Sequence, residues 1–307
     1  MKVLVTPRSY GKTDPSVFET LKAAGLEVVC NETGGILTAA QMAERLADCD
    51  GVIVGVDPLG ADVLAAAPKL RAIAKYGVGT DNIDLAAAKA RGVAVSRTVG
   101  ANASAVADYA MSLILACARK TALIDRNCRR GDWKKITTRD VTGAVVGILG
   151  FGAIGRLVAR RAQGFDMEVL AHDVYWDEAY AAANGVTRAS PERIFREADF
   201  ISVHLPLLPE TRGFVGEREL SWMKPTAILV NTARGGLIDE AALLRALSEG
   251  RIGGAGLDVF EEEPPKDPAW YRLDNVVLGS HCAASTEGAA RNMGRMATAN
   301  LLRDLGL

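Results

Sequence analysis

Residues 145–155 read VVGILGFGAIG, and this stretch limits the fold more than any other. Val145, Val146, Ile148 and Leu149 give it the length and β-branched content of a strand. The run stops at Gly150, and Gly150-Phe151-Gly152-Ala153-Ile154-Gly155 forms a G-x-G-x-x-G ahead of a stretch with helical spacing of apolar residues. Strand, glycine turn and helix in that order make a dinucleotide site. Gly150 permits the tight turn, Gly152 lets the backbone approach a pyrophosphate, and Gly155 lets helix and strand pack closely. The helix start, with the N–H groups of Ala153 and Ile154, offers unpaired donors and a positive dipole end to phosphates.

A chain with 31 glycines in 307 residues produces such hexapeptides by chance, so context decides. A second strand over residues 167–171 ends at His172-Asp173. An acidic side chain about 20 residues beyond the glycines accepts hydrogen bonds from ribose hydroxyls and repels a 2′-phosphate. No Arg or Lys follows in VYWDEAY, so the expected cofactor is NAD rather than NADP.

The length provides for two domains and a large core. Lys plus Arg (36) nearly balances Asp plus Glu (37), which gives no basic surplus for nucleic acid or an anionic membrane. The start, MKVLVTPRSY, has too short an apolar core for a signal peptide, and no later run reaches the length of a membrane span. Five cysteines are odd in number and contain no C-x-x-C, so free thiols in a reducing cytoplasm are expected, with no metal site.

Strands and helices alternate from the start. Strands are expected at 3–5, 27–30, 51–54, 72–75 and 93–95, and helices at 15–24, 38–47, 61–67 and 85–91. Thr38 with Gln41 forms a capping box, and Asp84 and Asp239 stand at helix starts. Parallel strands with crossover helices follow from the alternation. After a polar break at 96–101 comes a helix over 102–120, apolar around most of its circumference and suited to a domain or subunit contact. A second alternation runs from 141 to about 278, and a helix over 285–304 closes the sequence.

Three histidines limit the search for an acid–base. His172 and His204 end strands that wall the cofactor, which favours structural roles, whereas His281 follows the last strand among small residues. Arg234, at a strand end beside two glycines, has a planar fork suited to a carboxylate. Glu263 precedes Pro264 and Pro265, which stiffen its place in an acidic loop. Gly77 and Gly79, after another strand, could form an anion nest. A Cys282–His281 nucleophile pair is disfavoured if the segment is extended, because neighbours then point to opposite faces.

The segments KYGVGTDNIDLAAAKARGV, NASAVADYAMSLILACAR, VGILGFGAIGR, VHLPLLPETRG, ILVNTARGGLIDEAALLRAL, GGAGLDVFEEEPP and NVVLGSHCAAST cover nearly the whole chain. In them it resembles the D-isomer-specific 2-hydroxyacid dehydrogenases, near the phosphoglycerate dehydrogenase branch. The resemblance implies an α/β fold of two Rossmann-like doubly wound domains. An NAD-binding domain, 100–284, is inserted into a flavodoxin-like substrate domain made of 1–99 and 285–307. It implies a homodimer and a catalytic trio of Arg234, Glu263 and His281. Cofactor contacts fall on Gly150, Gly152, Ala153, Ile154, Gly155, Asp173, His204, Pro206, Thr211, Thr232, Ala233 and Asp258. Substrate contacts fall on Lys75, Tyr76, Gly77, Val78, Gly79 and Lys135.

One departure concerns the substrate. Where that branch typically carries an Arg-Ser pair after the third strand, this chain reads Gly55-Val56-Asp57, and Asp57 is expected to repel a phosphate. The expected activity is thus a phosphoglycerate dehydrogenase-like one, with reduction of glyoxylate, hydroxypyruvate or another small 2-keto acid as the alternative within the family. A different class, an NAD-sensing corepressor-like binding protein, is the non-enzymatic alternative.

Overall fold

The computed structural model describes residues 1–307, which divide into two compact units, Met1–Ala103 with Ala284–Leu307, and Ser104–Ala283. The first unit begins with strands β1 (Lys2–Val5), β2 (Glu27–Cys30), β3 (Gly51–Val54), β4 (Ala72–Lys75) and β5 (Ala94–Arg97). Between them run helices α1 (Ser16–Ala23), α2 (Ala39–Leu46), α3 (Ala61–Ala65) and α4 (Leu85–Ala90). All strand pairs are parallel, in the order β2-β1-β3-β4-β5, the flavodoxin-like order. The two caps read from the sequence here form: Thr38 and Gln41 close a capping box on α2, and Asp84 accepts from Ala87 N on α4.

The second unit carries helices α5 (Ala103–Ala118) and α6 (Thr121–Arg129), then β6 (Val145–Leu149), α7 (Ala153–Gln163), β7 (Glu168–His172), α8 (Glu178–Ala183) and β8 (Thr187–Arg188). It continues through α9 (Pro191–Glu197), β9 (Phe200–Val203), α10 (Glu217–Trp222), β10 (Ile228–Asn231), α11 (Glu240–Ser248), β11 (Gly254–Leu257) and β12 (Val276–Leu278). Its seven strands are parallel in the order β12-β11-β10-β9-β6-β7-β8, a Rossmann sheet with one further strand. Strands β9, β10 and β11 are buried along their whole length, as a sheet covered on both faces requires.

Helix α5 packs Ala107, Ala110, Met111, Leu113, Ile114 and Ala118 into the core of the second unit, while Ser104, Asp108 and Ser112 form an exposed stripe. Outside that one narrow stripe the helix is buried or half-buried, as its mostly apolar circumference led one to expect. The chain returns to the first unit as α12 (Glu287–Leu305). Its buried stripe, including Met293, Ala297, Leu301 and Leu305, covers the sheet, and Gly51 leaves room for the Leu301 side chain.

Asp57 has a structural role that its charge alone did not suggest. Its side chain is buried, with Thr6 Oγ1 donating to Oδ2 at 2.5 Å and Leu37 N donating to Oδ1 at 2.8 Å. The carboxylate clamps the ends of β1 and β3 to the segment before α2. Hydrogen bonds to a charged group are worth roughly 1.5–3 kcal/mol each, so Asp57→Ala is expected to lower unfolding free energy by about 2–4 kcal/mol. Urea denaturation measures this, and an unchanged midpoint would refute the clamp.

Candidate active site

Strand order in the second unit reverses between β6 and β9, which places a crevice at their carboxyl ends. The three glycines of the turn sit there for separate reasons. Gly150 has φ +96, and a β-carbon on it would stand 2.6 Å from the His204 carbonyl oxygen. A β-carbon at Gly155 would collide with the Gly150 carbonyl oxygen. At Gly152, the N-cap of α7, a β-carbon would meet no protein atom within 4 Å. Packing does not require glycine at that position, so the room before the helix start is available to a ligand.

Asp173 is fixed beside the turn, its Oδ2 accepting from Phe151 N at 2.7 Å and its Oδ1 from Tyr175 N at 2.8 Å. Each oxygen keeps a lone pair for a further donor. Thr211 Oγ1 donates to Pro206 O at 2.6 Å and accepts from Leu208 N at 2.8 Å, which shapes the loop after β9. Ala233 N donates to Asn231 Oδ1 at 3.0 Å in the turn after β10. The hydroxyl of buried Thr232 has no partner, an orphan of the kind a bound ligand satisfies. These features fit a dinucleotide: donors at the helix start, room at Gly152, and an acid at the end of β7.

The other two histidines are engaged in the protein. His172 Nδ1 donates to Ala189 O at 3.3 Å. His204 Nε2 pairs with buried Ser202 Oγ at 2.8 Å, its Nδ1 is enclosed without a partner, and burial pushes its pKa down to about 4.

Arg234, Glu263 and His281 come from the turns after β10, β11 and β12, three adjacent strands. His281 Nδ1 donates to Glu263 Oε2 at 2.8 Å, with the two side chains 45% and 38% exposed. That exposure leaves the pair open to a reactant. Burial alone would raise the Glu263 carboxyl, but the bond from His281, its charge, the Phe260 N–H and the Arg234 guanidinium together hold it below the usual range. The carboxylate is therefore ionised near neutrality and fixes which imidazole nitrogen carries its hydrogen, leaving Nε2 to exchange a proton. Gly235 sets this geometry: a β-carbon there would collide with the Phe260–Glu261 peptide, so only glycine lets the Arg234 turn abut the turn carrying Glu263.

Asp258 is buried, and its carboxylate accepts from Cys282 N at 3.0 Å and Ala283 N at 2.9 Å. His281 has a left-handed backbone, φ +55, so the segment is not extended as the case against a Cys282–His281 pair assumed. The pair is instead disfavoured by Cys282 Sγ, which points its bond to Asp258 Oδ1 at 3.5 Å.

Several residues expected to meet substrate serve the first unit itself. Tyr76 is buried, and its hydroxyl donates to Ala290 O at 3.1 Å in α12. Gly77 N–H donates to Thr98 Oγ1 at 2.8 Å, so it is not a bare nest donor, and the nest reduces to the N–H groups of Val78 and Gly79. Lys75 is buried, with Nζ donating to Gly55 O and, at 2.7 Å, to Asn82 Oδ1. In the second unit Lys135 is exposed in the irregular stretch after α6. Sequence reading noted Gly235 only as a neighbour of Arg234 and passed over Gly279, whose close approach to Asp258 carries no local signal.

A parallel doubly wound sheet, a glycine turn at its switch point and an imidazole–carboxylate pair with a guanidinium at neighbouring strand ends define a dinucleotide-dependent oxidoreductase. Residues 111–283 match the family model for the NAD binding domain of D-isomer specific 2-hydroxyacid dehydrogenases. The chain belongs to that family: its cofactor is NAD, and it is an oxidoreductase acting on CH–OH groups. It is 45% identical over 267 residues to a glyoxylate reductase of Korarchaeum cryptofilum, covering 84% of this chain and 80% of that one. It is 40% identical over 286 residues to a D-3-phosphoglycerate dehydrogenase of Methanocaldococcus jannaschii, covering 92% of this chain but 54% of that protein. The crystal structure of the TT0316 protein from Thermus thermophilus superposes with a TM-score of 0.91 at 36% identity, covering 100% of this chain and 97% of that one.

Two outcomes are expected. Between pH 6.5 and about 4 the unfolded chain takes up a proton that half-buried His204, its Nδ1 enclosed, refuses, so stability falls as pH drops through this window. The loss reaches about 3 kcal/mol for the full shift, and His204→Asn should flatten melting temperature against pH; an unchanged slope rules the residue out. Asp173→Ala should raise the ratio of NADP to NAD turnover about 10-fold or more by removing the acid that meets a 2′-phosphate. Unchanged cofactor ratios would show that another group discriminates.

Proposed function

We propose that this chain reduces small, unphosphorylated 2-keto acids of the glyoxylate and hydroxypyruvate class, with His281 as proton donor. The observation that carries the reading is the 2.8 Å bond from His281 Nδ1 to a Glu263 carboxylate that also feels Arg234. Bound NADH supplies the hydride. His281 Nε2 gives its proton to the carbonyl oxygen, or takes it back in oxidation, while Glu263 orients the ring and stabilises its charged form. Arg234 holds the substrate carboxylate and polarises the carbonyl as negative charge develops on its oxygen. Gly150, Gly152, Ala153, Ile154, Gly155 and Asp173 hold the cofactor, together with Thr232 and the 204–211 loop. The first unit is taken as the substrate domain, 1–99 with 285–307, and the protein as a cytoplasmic homodimer.

The phosphate-free preference is supported by the loop after β3. Val56 is 59% exposed, Asp57 is buried in its clamp, and the Lys75 ammonium is held by Gly55 O and Asn82. That loop has no Arg to meet a phosphate. Phosphoglycerate oxidation is the second reading, supported by the likeness to the M. jannaschii enzyme.

The test is NADH oxidation with glyoxylate, hydroxypyruvate and pyruvate, beside NAD reduction with 3-phosphoglycerate. Glyoxylate or hydroxypyruvate should give the highest kcat/KM, and His281→Ala should lose roughly 10²–10⁴-fold in kcat with NADH affinity kept. Faster turnover of 3-phosphoglycerate overturns the substrate assignment. Tight NADH binding without turnover of any substrate would favour the sensing protein.

A further inference from the structure

The connection from β10 to α11 grips the loop after β11 at two points. Gly235 lies so close to the Phe260–Glu261 peptide that a β-carbon there would collide with it. Further along, Glu240 opens α11 and reaches the same peptide, its Oε1 accepting from Glu261 N at 2.5 Å. The preceding amide of the loop, Phe260 N, donates to Glu263 Oε1 at 3.2 Å. Two consecutive N–H groups thus go to two carboxylates, one of which is the partner of His281. The helix does not need Glu240 as a cap, since Asp239 already accepts from Ala242 N at 2.9 Å. Holding the acid there is costly: burial raises the Glu240 carboxyl above the usual range, the Glu261 amide works against that rise, and the charges of Glu261 and Glu263 add to it. On the near side of the peptide the loop is anchored by buried Phe260, whose ring meets Trp270 edge-on at 5.7 Å. From Glu261 to Pro264 it is exposed, so the bond to Glu240 stands where the loop leaves the core.

We propose that Glu240 is a positioning residue for the reaction: by holding the Glu261 N–H it keeps the loop seated on Gly235 and fixes the Glu263 carboxylate relative to His281 and Arg234. The stretch that carries the Arg234 guanidinium also carries both grips, so guanidinium and carboxylate are set against one another by a single connection. A hydrogen bond to an ionised acceptor is among the stronger ones a loop can make. Without an acceptor at 240 the Glu261 amide turns to water, the exposed part of the loop gains freedom, and Glu263 spends less time on the imidazole. Small errors in placing reacting groups are costly to rate. Glu240 acts through Glu263 and not on the reactants, and the inference rests on His281 being the proton donor.

The experiment uses the full chain and compares Glu240→Ala, Glu240→Gln, Glu263→Gln, the Glu240→Ala/Glu263→Gln double variant and His281→Ala. The readouts are kcat and KM for glyoxylate reduction and for 3-phosphoglycerate oxidation, NADH affinity by fluorescence, and melting temperature. Glu240→Ala should lose about 10-fold in kcat with a smaller change in KM, while NADH affinity and melting temperature stay near parental values. Glu240→Gln keeps an oxygen to accept the Glu261 N–H and should retain most of the parental kcat. Glu263→Gln should lose more than Glu240→Ala, and adding Glu240→Ala to it should lower kcat little further, because one acts through the other. Parental kcat in Glu240→Ala overturns the inference, as does a Glu240→Gln enzyme as slow as Glu240→Ala, which would make the charge and not the bond the cause. Independent losses that multiply in the double variant overturn it too, and so does a joint fall of kcat, NADH affinity and melting temperature in Glu240→Ala. Parental turnover in His281→Ala sinks the assigned proton donor instead, whereas an inactive His281→Ala beside a parental Glu240→Ala sinks only the role of Glu240.

Discussion

Backbone meets backbone at the carboxyl edge of the seven-stranded sheet, and the chemistry depends on that close approach. The turn after β6 touches the turn after β9 at Gly150, the turn after β10 touches the turn after β11 at Gly235, and Gly279 brings the segment after β12 onto Asp258. At each place a single methyl group would force neighbouring loops apart. Parallel strands lie about 4.8 Å apart, and their ends can converge on one reacting centre only if the connecting loops nest this closely. The glycines therefore set the spacing of Arg234, Glu263 and His281, side chains that belong to other residues.

Within that frame, electrostatics divide the labour. Glu263 is exposed enough to serve a reactant but is kept ionised by an imidazole, an amide and a guanidinium. Asp258 is buried, and its lone pairs go to shaping the backbone. Two carboxylates a few residues apart thus do different work, one facing outward to an imidazole and one inward to the turn that bears it. His204 shows the converse: enclosure keeps it neutral and removes it from acid–base chemistry.

Much of this was legible in the sequence because it is local. The strand, the G-x-G-x-x-G and the helix lie within twenty residues, and the Thr38–Gln41, Asp84 and Asp239 caps are short-range patterns that the structure reproduces. The pairing of His281 with Glu263 was not local in this sense: the family resemblance implied it, and the residues alone offered only two separate candidates. What stayed hidden depends on partners distant along the chain. Nothing near Asp57 reveals that Thr6 and Leu37 claim its oxygens, nor does anything near Tyr76 reveal Ala290. The bare N–H expected at Gly77 was lost to Thr98.

The place of α12 in the first unit has a consequence for synthesis. The five strands of that unit leave the ribosome early, but the helix that covers one side of them, with Met293, Ala297, Leu301 and Leu305 in its stripe, is translated after the whole intervening unit. For that interval apolar sheet surface waits in the cell with nothing of its own chain to shield it, a state prone to aggregation. The first unit therefore completes last although it begins first.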